Sequence, residues 1–190
     1  MVIKARTIAD SGFGAIEAGY GINIDIVDGK YVISTKNQTG WASYVDTQYS
    51  IGSPFTVLAG FPTILPNNAG TVIDHQKPPY IPTYYDGIGI LGRNGDGLDI
   101  MIYLKAVPTA ANQFVDVWID IGSGTPIKLY TDTKDFPKGA DEERGFIYTL
   151  PSAYTLDTWE ANKGKVYVES NADLNLYGIV FNFDTSHKAV

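Results

Sequence analysis

The sequence predicts an all-β domain: an antiparallel, jelly-roll-like β-sandwich preceded by a short N-terminal arm and hairpin. Three observations lead there. Apolar and polar residues alternate along short segments, as in Ile22-Asn23-Ile24-Asp25-Ile26 and again from Phe114 to Ile121. A period of two places alternate side chains on one face of a strand. Clusters of Gly, Pro, Asn and Asp divide these segments at short, regular spacing, the punctuation of strands joined by tight turns. Strands do not alternate with helices, which disfavours a parallel sheet.

The elements follow in order. Residues 1–19 are weakly patterned and rich in Gly and Ala, and read as an arm. Ile22–Ile26 and Lys30–Ser34 flank Asp28-Gly29, the turn signature of a β-hairpin. Residues 34–40 are polar and read as a linker, dividing an N-terminal arm and hairpin over 1–40 from a sandwich domain over 41–190. Tyr44–Asp46 and Phe55–Leu58 read as strands, Leu65–Gly70 as a turn, and Lys77–Pro82, with three prolines, as extended or looped chain. Ile88–Leu91 is a short strand. Arg93–Gly97 is a tight turn, and Leu98–Leu104 a longer, mostly apolar strand suited to a central position. In Phe114–Ile121 the inward set is Val115, Val117, Ile119 and Ile121, and Gly122-Ser123-Gly124 ends the strand. Another strand begins at Ile127–Tyr130. Residues 132–144, charged and holding Pro137 and Gly139, read as an exposed loop. Gly145–Leu150, Lys165–Glu169 and Leu174–Phe183 complete the strands, with Thr185–Val190 as a polar tail. The one helical signal is Thr155–Asn162, with Thr155 as N-cap, Asp157 in the first turn and Gly164 past the end.

Composition narrows the function classes. The 190 residues are 44% hydrophobic and 18% charged, enough apolar material for a core and too little charge for disorder. A formal net charge of −7 repels phosphate backbones and anionic membranes, so neither nucleic acid nor membrane is an expected partner. The absence of Cys excludes disulfides and thiolate metal sites. No apolar run reaches the roughly 20 residues of a membrane helix. The opening Met1-Val2-Ile3-Lys4-Ala5-Arg6 lacks a signal-peptide apolar region, so the expectation is a protein used without secretion.

No motif points to catalysis, a metal or a cofactor, and the chain reads as a non-enzyme. Asn94-Gly95-Asp96-Gly97-Leu98-Asp99 has some of the spacing of a calcium loop, but lacks the closing Glu and flanking helices and reads as a Gly-rich turn. Asp132, Asp135, Asp141, Glu142 and Glu143 offer carboxylate pairs of the glycosidase kind. Lys134, Lys138 and Arg144 among them favour a solvated loop instead. His75 and His187 have no ligand or triad spacing around them. Trp41, Tyr80, Tyr84 and Tyr85 suit stacking on sugar rings, although a core or a subunit interface is the commoner use of such side chains.

Two stretches carry a family resemblance. Ala18-Gly19-Tyr20-Gly21-Ile22-Asn23-Ile24 with Asp28-Gly29-Lys30-Tyr31-Val32-Ile33-Ser34 resembles an element common in tail-fibre and virion-appendage proteins. The body resembles small jelly-roll domains of tailed-phage capsid-decoration, head-fibre and fibre-tip proteins. It does so through Trp41–Asp46, Leu65–Gly70, Arg93–Gly97, Trp118–Gly122, Tyr154–Trp159 and Thr185–Lys188. The resemblance covers most of the chain. It implies a non-enzymatic structural role in a bacteriophage virion, assembled in the host cytoplasm, and a homotrimer. The short arm, with no fibre shaft, favours a capsid decoration (cement) protein bound to the major capsid protein or another virion protein. Ile22, Ile24, Ile26, Tyr31 and Ile33 are then the candidate capsid-anchoring residues, and Trp41, Tyr80, Tyr84 and Tyr85 the candidate ligand or interface aromatics. The alternative is a tail-fibre or receptor-binding tip recognising a cell-surface glycan. A glycan depolymerase or a free-standing carbohydrate-binding module fits less well: the sequence offers no preferred carboxylate pair, and no catalytic domain for a module to serve.

Overall fold

The computed structural model describes residues 22–27, 30–35, 40–75, 83–137 and 140–187. These hold twelve strands and one six-residue helix. Strands β1 (Ile22–Val27) and β2 (Lys30–Thr35) pair antiparallel as a sheet of their own. The turn at Asp28-Gly29, the arm over 1–19, most of the linker, the Lys77–Pro82 stretch and Lys188 lie outside the described residues.

The other strands form two antiparallel sheets. One has the order β10 (Arg144–Thr155), β7 (Asp96–Pro108), β12 (Leu174–His187), β3 (Trp41–Val45), β6 (Thr71–His75), with β4 (Phe55–Val57) also on β12. The other runs β5 (Thr63–Ile64), β11 (Lys165–Ser170), β8 (Gln113–Asp120), β9 (Lys128–Phe136). With β4 and β6 set aside, the pairing is nested. β3 pairs with β12, β5 with β11, β7 with β10 and β8 with β9. Eight strands paired first to last, second to seventh, third to sixth and fourth to fifth are a long hairpin rolled into a sandwich, which is the jelly roll.

The core lies between the sheets. Leu98, Ile100, Ile102, Leu104 and Ala106 of β7 join Val115, Val117 and Ile119 of β8 and Val166 and Val168 of β11, all buried. Burying each of the larger side chains contributes about 1.5–3 kcal/mol. The alternation expected in Phe114–Ile121 is the one observed, with Val115, Val117, Ile119 and Ile121 inward. On β12 the inward set changes parity, from Leu174 and Leu176 to Phe181 and Phe183. The register shifts between Tyr177 and Val180. Gly178, at φ +60, supplies the left-handed residue that such a bulge needs.

Residues 83–91 close one end of the sandwich. The Tyr84 hydroxyl donates to Gly40 O at 2.9 Å and lies 2.5 Å from Thr185 Oγ1. Tyr85 meets Phe181 edge-on. Trp159 of α1 (Asp157–Asn162) donates Nε1–H to Ile90 O at 2.9 Å. A Cβ on Gly164 would lie 2.5 Å from that indole ring.

Several sequence expectations are corrected. Ile88–Leu91 is not a strand, because only Ile90 bridges, to Tyr85 and Gly164. Asp132–Phe136 is not loop but the second half of β9. As an edge strand, β9 tolerates charge, and its charge masked its β character. Thr155 does not cap the helix. It ends β10, donating its hydroxyl to Arg93 O, and extended Leu156 takes the cap position with no side-chain bond. Strand β12 continues through Thr185 to His187 instead of ending at Phe183.

Candidate functional site

The outer face of the six-stranded sheet carries a groove built by cross-strand register. The inward alternation of β7 leaves Asp99 and Met101 pointing outward. Asp184 on β12 is the register partner of both Asp99 and, on its other side, Trp41 of β3. One step along, Asn182 stands opposite Met101, which in turn stands opposite Thr149 of β10. Directly opposed residues have Cβ atoms about 4.5–5.5 Å apart, so these side chains form one contiguous patch. They line, with Pro151, a half-open cavity of about 370 Å³.

The patch is chemically mixed. Trp41 is 43% exposed and Met101 41%. Asp99 accepts the Ser152 N–H at 2.6 Å, fixing one carboxylate oxygen at the rim. Burial and then the facing Asp99 hold the Asp184 carboxyl above the ordinary aspartate range, against a lowering backbone hydrogen bond at Thr185. Like charges directly opposed across a ladder destabilise a sheet. A ring face, an apolar floor, two carboxylates and an amide can grip a small polar molecule that has C–H faces and hydroxyl donors. Among the described residues no three His, Asp or Glu side chains gather as metal ligands.

The hairpin is a second feature. Its register sets Ile24 opposite Ile33 and Ile26 opposite Tyr31, with Ile22 opposite Thr35. Tyr31 is 54% exposed and Ile33 44%. Neither β1 nor β2 pairs with any other described strand.

The residues singled out in the sequence fall in different places. Trp41 lies on the groove. Tyr84 and Tyr85 do not present rings to solvent. Both are core residues, with hydroxyls pushed up to about 12 by burial first of all. They bridge the end of the sandwich to Tyr44, Phe181 and Phe183. Tyr80 lies outside the described residues. The acidic segment is held by ion pairs: Asp132 with Lys134, Glu142 with Arg144 and Glu143 with Lys105, each at 2.8–2.9 Å. Asp96 is fully buried and accepts from the Arg93 N–H, a turn-closing role. His75 and His187 end β6 and β12. Sequence reasoning missed Asp99, Asp184 and Asn182. Their outward parity was legible in Leu98–Leu104 and Phe181–Phe183, but the register that joins them was not.

No protein-family profile matches the chain, and no curated protein matches it. Among solved structures it is similar to the vertex protein P5 of PRD1, at 13% identity over 99% of this chain and 100% of the other, with a TM-score of 0.44. It is also similar to Eiger TNF from S. frugiperda, at 7% identity over 80% and 94%, TM-score 0.49. A third is VP2 of infectious bursal disease virus in its subviral particle, at 10% identity, TM-score 0.36. This chain is aligned over 87% of its own length there and 37% of the other's. Likeness at this level carries no function from one protein to another.

Proposed function

We propose that this chain is a non-enzymatic structural subunit of a tailed-phage virion, a capsid decoration protein that docks on the assembled head through its N-terminal hairpin. The observation that carries the proposal is that, among the described residues, β1 and β2 pair only with each other and carry exposed apolar side chains. Tyr31 and Ile33 are exposed side by side on β2, and their register partners are Ile26 and Ile24. A two-stranded hairpin is marginal in water by itself. An exposed apolar pair on it, and two strand edges with no ladder partner among the described residues, suit burial against a partner and strand addition to a partner sheet.

In this reading residues 1–40 anchor the protein and residues 41–190 form the outward domain. One continuous core fills the jelly roll, and close packing of that kind resists compression, which suits an outward module on a shell. Association as a trimer belongs to the same proposal, since a three-fold cap contacts three equivalent shell subunits with one surface. Binding the assembled shell and not its free subunits would stabilise the shell by mass action.

The test is binding to heads of the encoding phage from which the protein has been stripped, with the solution mass measured by light scattering. Saturable binding by a species of three chains supports the proposal. Failure of the full chain to bind heads overturns it.

A further inference from the structure

We propose that the groove beside Trp41 binds the ring of an uncharged hexopyranose, with Trp41 against the sugar's C–H face and Asp99, Asp184 and Asn182 bonded to its hydroxyls. The inference does not rest on head binding; it holds wherever in a particle the chain sits.

The argument starts from what each side chain offers. A pyranose has one face of aliphatic C–H groups and a rim of hydroxyls. The C–H face matches an exposed indole, whose ring carries negative charge on its face. The rim matches acceptors, and ionised carboxylates accept without donating. Asn182 adds both a donor and an acceptor, and Met101 gives the floor an apolar surface. Register places all of these on one sheet face within two residue pairs of one another. The volume of about 370 Å³ falls at the lower end of ligand pockets, roughly 300–1,000 Å³, which suits one or two rings and not a long chain.

The opposed aspartates also sort ligands. Placed face to face they destabilise the sheet, and burial adds to the cost at Asp184. A neutral sugar donating hydroxyls to both carboxylates lowers that repulsion. A sialic acid, a uronic acid or a phosphate adds a third negative charge to a groove that already has two, on a chain of formal charge −7, and is excluded. Polar groups left unpaired by the wrong ligand give a larger discrimination than any apolar contact does.

The experiment uses the full-length chain on an array of neutral, sialylated and uronate-containing glycans, followed by calorimetry with the best neutral oligosaccharide. The expected result is binding confined to neutral pyranosides. Trp41→Ala should weaken it about tenfold or more, and Thr149→Trp, which adds bulk to the groove from an exposed edge-strand position, should abolish it. Thr149→Trp keeps the test decisive if Trp41→Ala does not fold. Absence of any neutral-sugar binding at about 10 mM ligand, a weak-affinity limit, would overturn the proposal. Binding confined to acidic glycans, or binding indifferent to both substitutions, would do the same. A Tyr31→Ser/Ile33→Ser variant should keep its sugar binding, so failure of the groove and failure of the docking proposal are read separately.

Discussion

Asp184 stands directly opposite Asp99 across the ladder between β7 and β12, on the solvent side of the sheet. Both belong to strands whose inward neighbours, Ile100 and Phe183, are core residues. The parity of the two strands therefore sets both aspartates on the same outer face, in register with one another.

Asp184→Asn removes one charge of this pair. The folded carboxyl lies above its ordinary range through burial and Asp99. Its contribution therefore favours the fold at pH below the ordinary aspartate range and is lost as pH rises through the folded value. At pH 7 the substitution should raise the thermal midpoint. The gain should shrink as the pH falls toward and below the ordinary aspartate range, where Asp184 is protonated in both states. Melting curves of the two proteins at pH 3 and pH 7 check the sign.

Gly178 isolates a backbone effect. Its φ is +60, and a Cβ there would approach nothing nearer than the Lys105 side chain at 3.5 Å. Gly178→Ala should cost about 1 kcal/mol, all of it conformational, measured by urea unfolding with the m-value unchanged.

Gly164 presents the opposite case, since an added methyl collides with the ring of Trp159. Gly164→Ala should cost about 1–3 kcal/mol by overpacking. Trp159 also holds Ile90 by its indole N–H, so loss of that bond should appear as faster exchange of the Ile90 and Gly164 amides, which bridge each other.

Tyr84 joins the 83–91 segment to both Gly40 and Thr185. Tyr84→Phe should cost about 1–3 kcal/mol, the range for a buried polar partner left unsatisfied. It should also change the alkaline limb of stability. Burial pushes Tyr84 from 10.0 to about 12. The stabilisation linked to its protonated form is complete below pH 10 and lost as pH rises through about 12. Alkaline unfolding monitored by circular dichroism should therefore be shallower in the Phe variant.

The sequence revealed the class of fold because strong alternation, as in Phe114–Ile121, needs no tertiary knowledge. It revealed the hairpin for the same reason. Strand β5 was hidden because two residues carry no period, and the second half of β9 because edge strands can be charged. For Tyr84 and Tyr85 the sequence left a sugar platform open beside the commoner core or interface role, because nothing local distinguishes a buried ring from one that faces solvent; the structure places both in the core. The groove was illegible for a deeper reason. Trp41, Asp99 and Asp184 are separated by long stretches of chain, and only the register of β3, β7 and β12 brings them together.

The most direct measurement is pelleting of the full-length protein with stripped heads, comparing the unaltered chain with Tyr31→Ser/Ile33→Ser. Both side chains are about half exposed, so the fold should survive the change. Completing their burial in a contact is worth about 1 kcal/mol each, or roughly ten- to a hundredfold in affinity together. The account predicts saturable binding by the unaltered chain and a loss of that size in the variant. Equal binding by the two, or no binding by either, would contradict it.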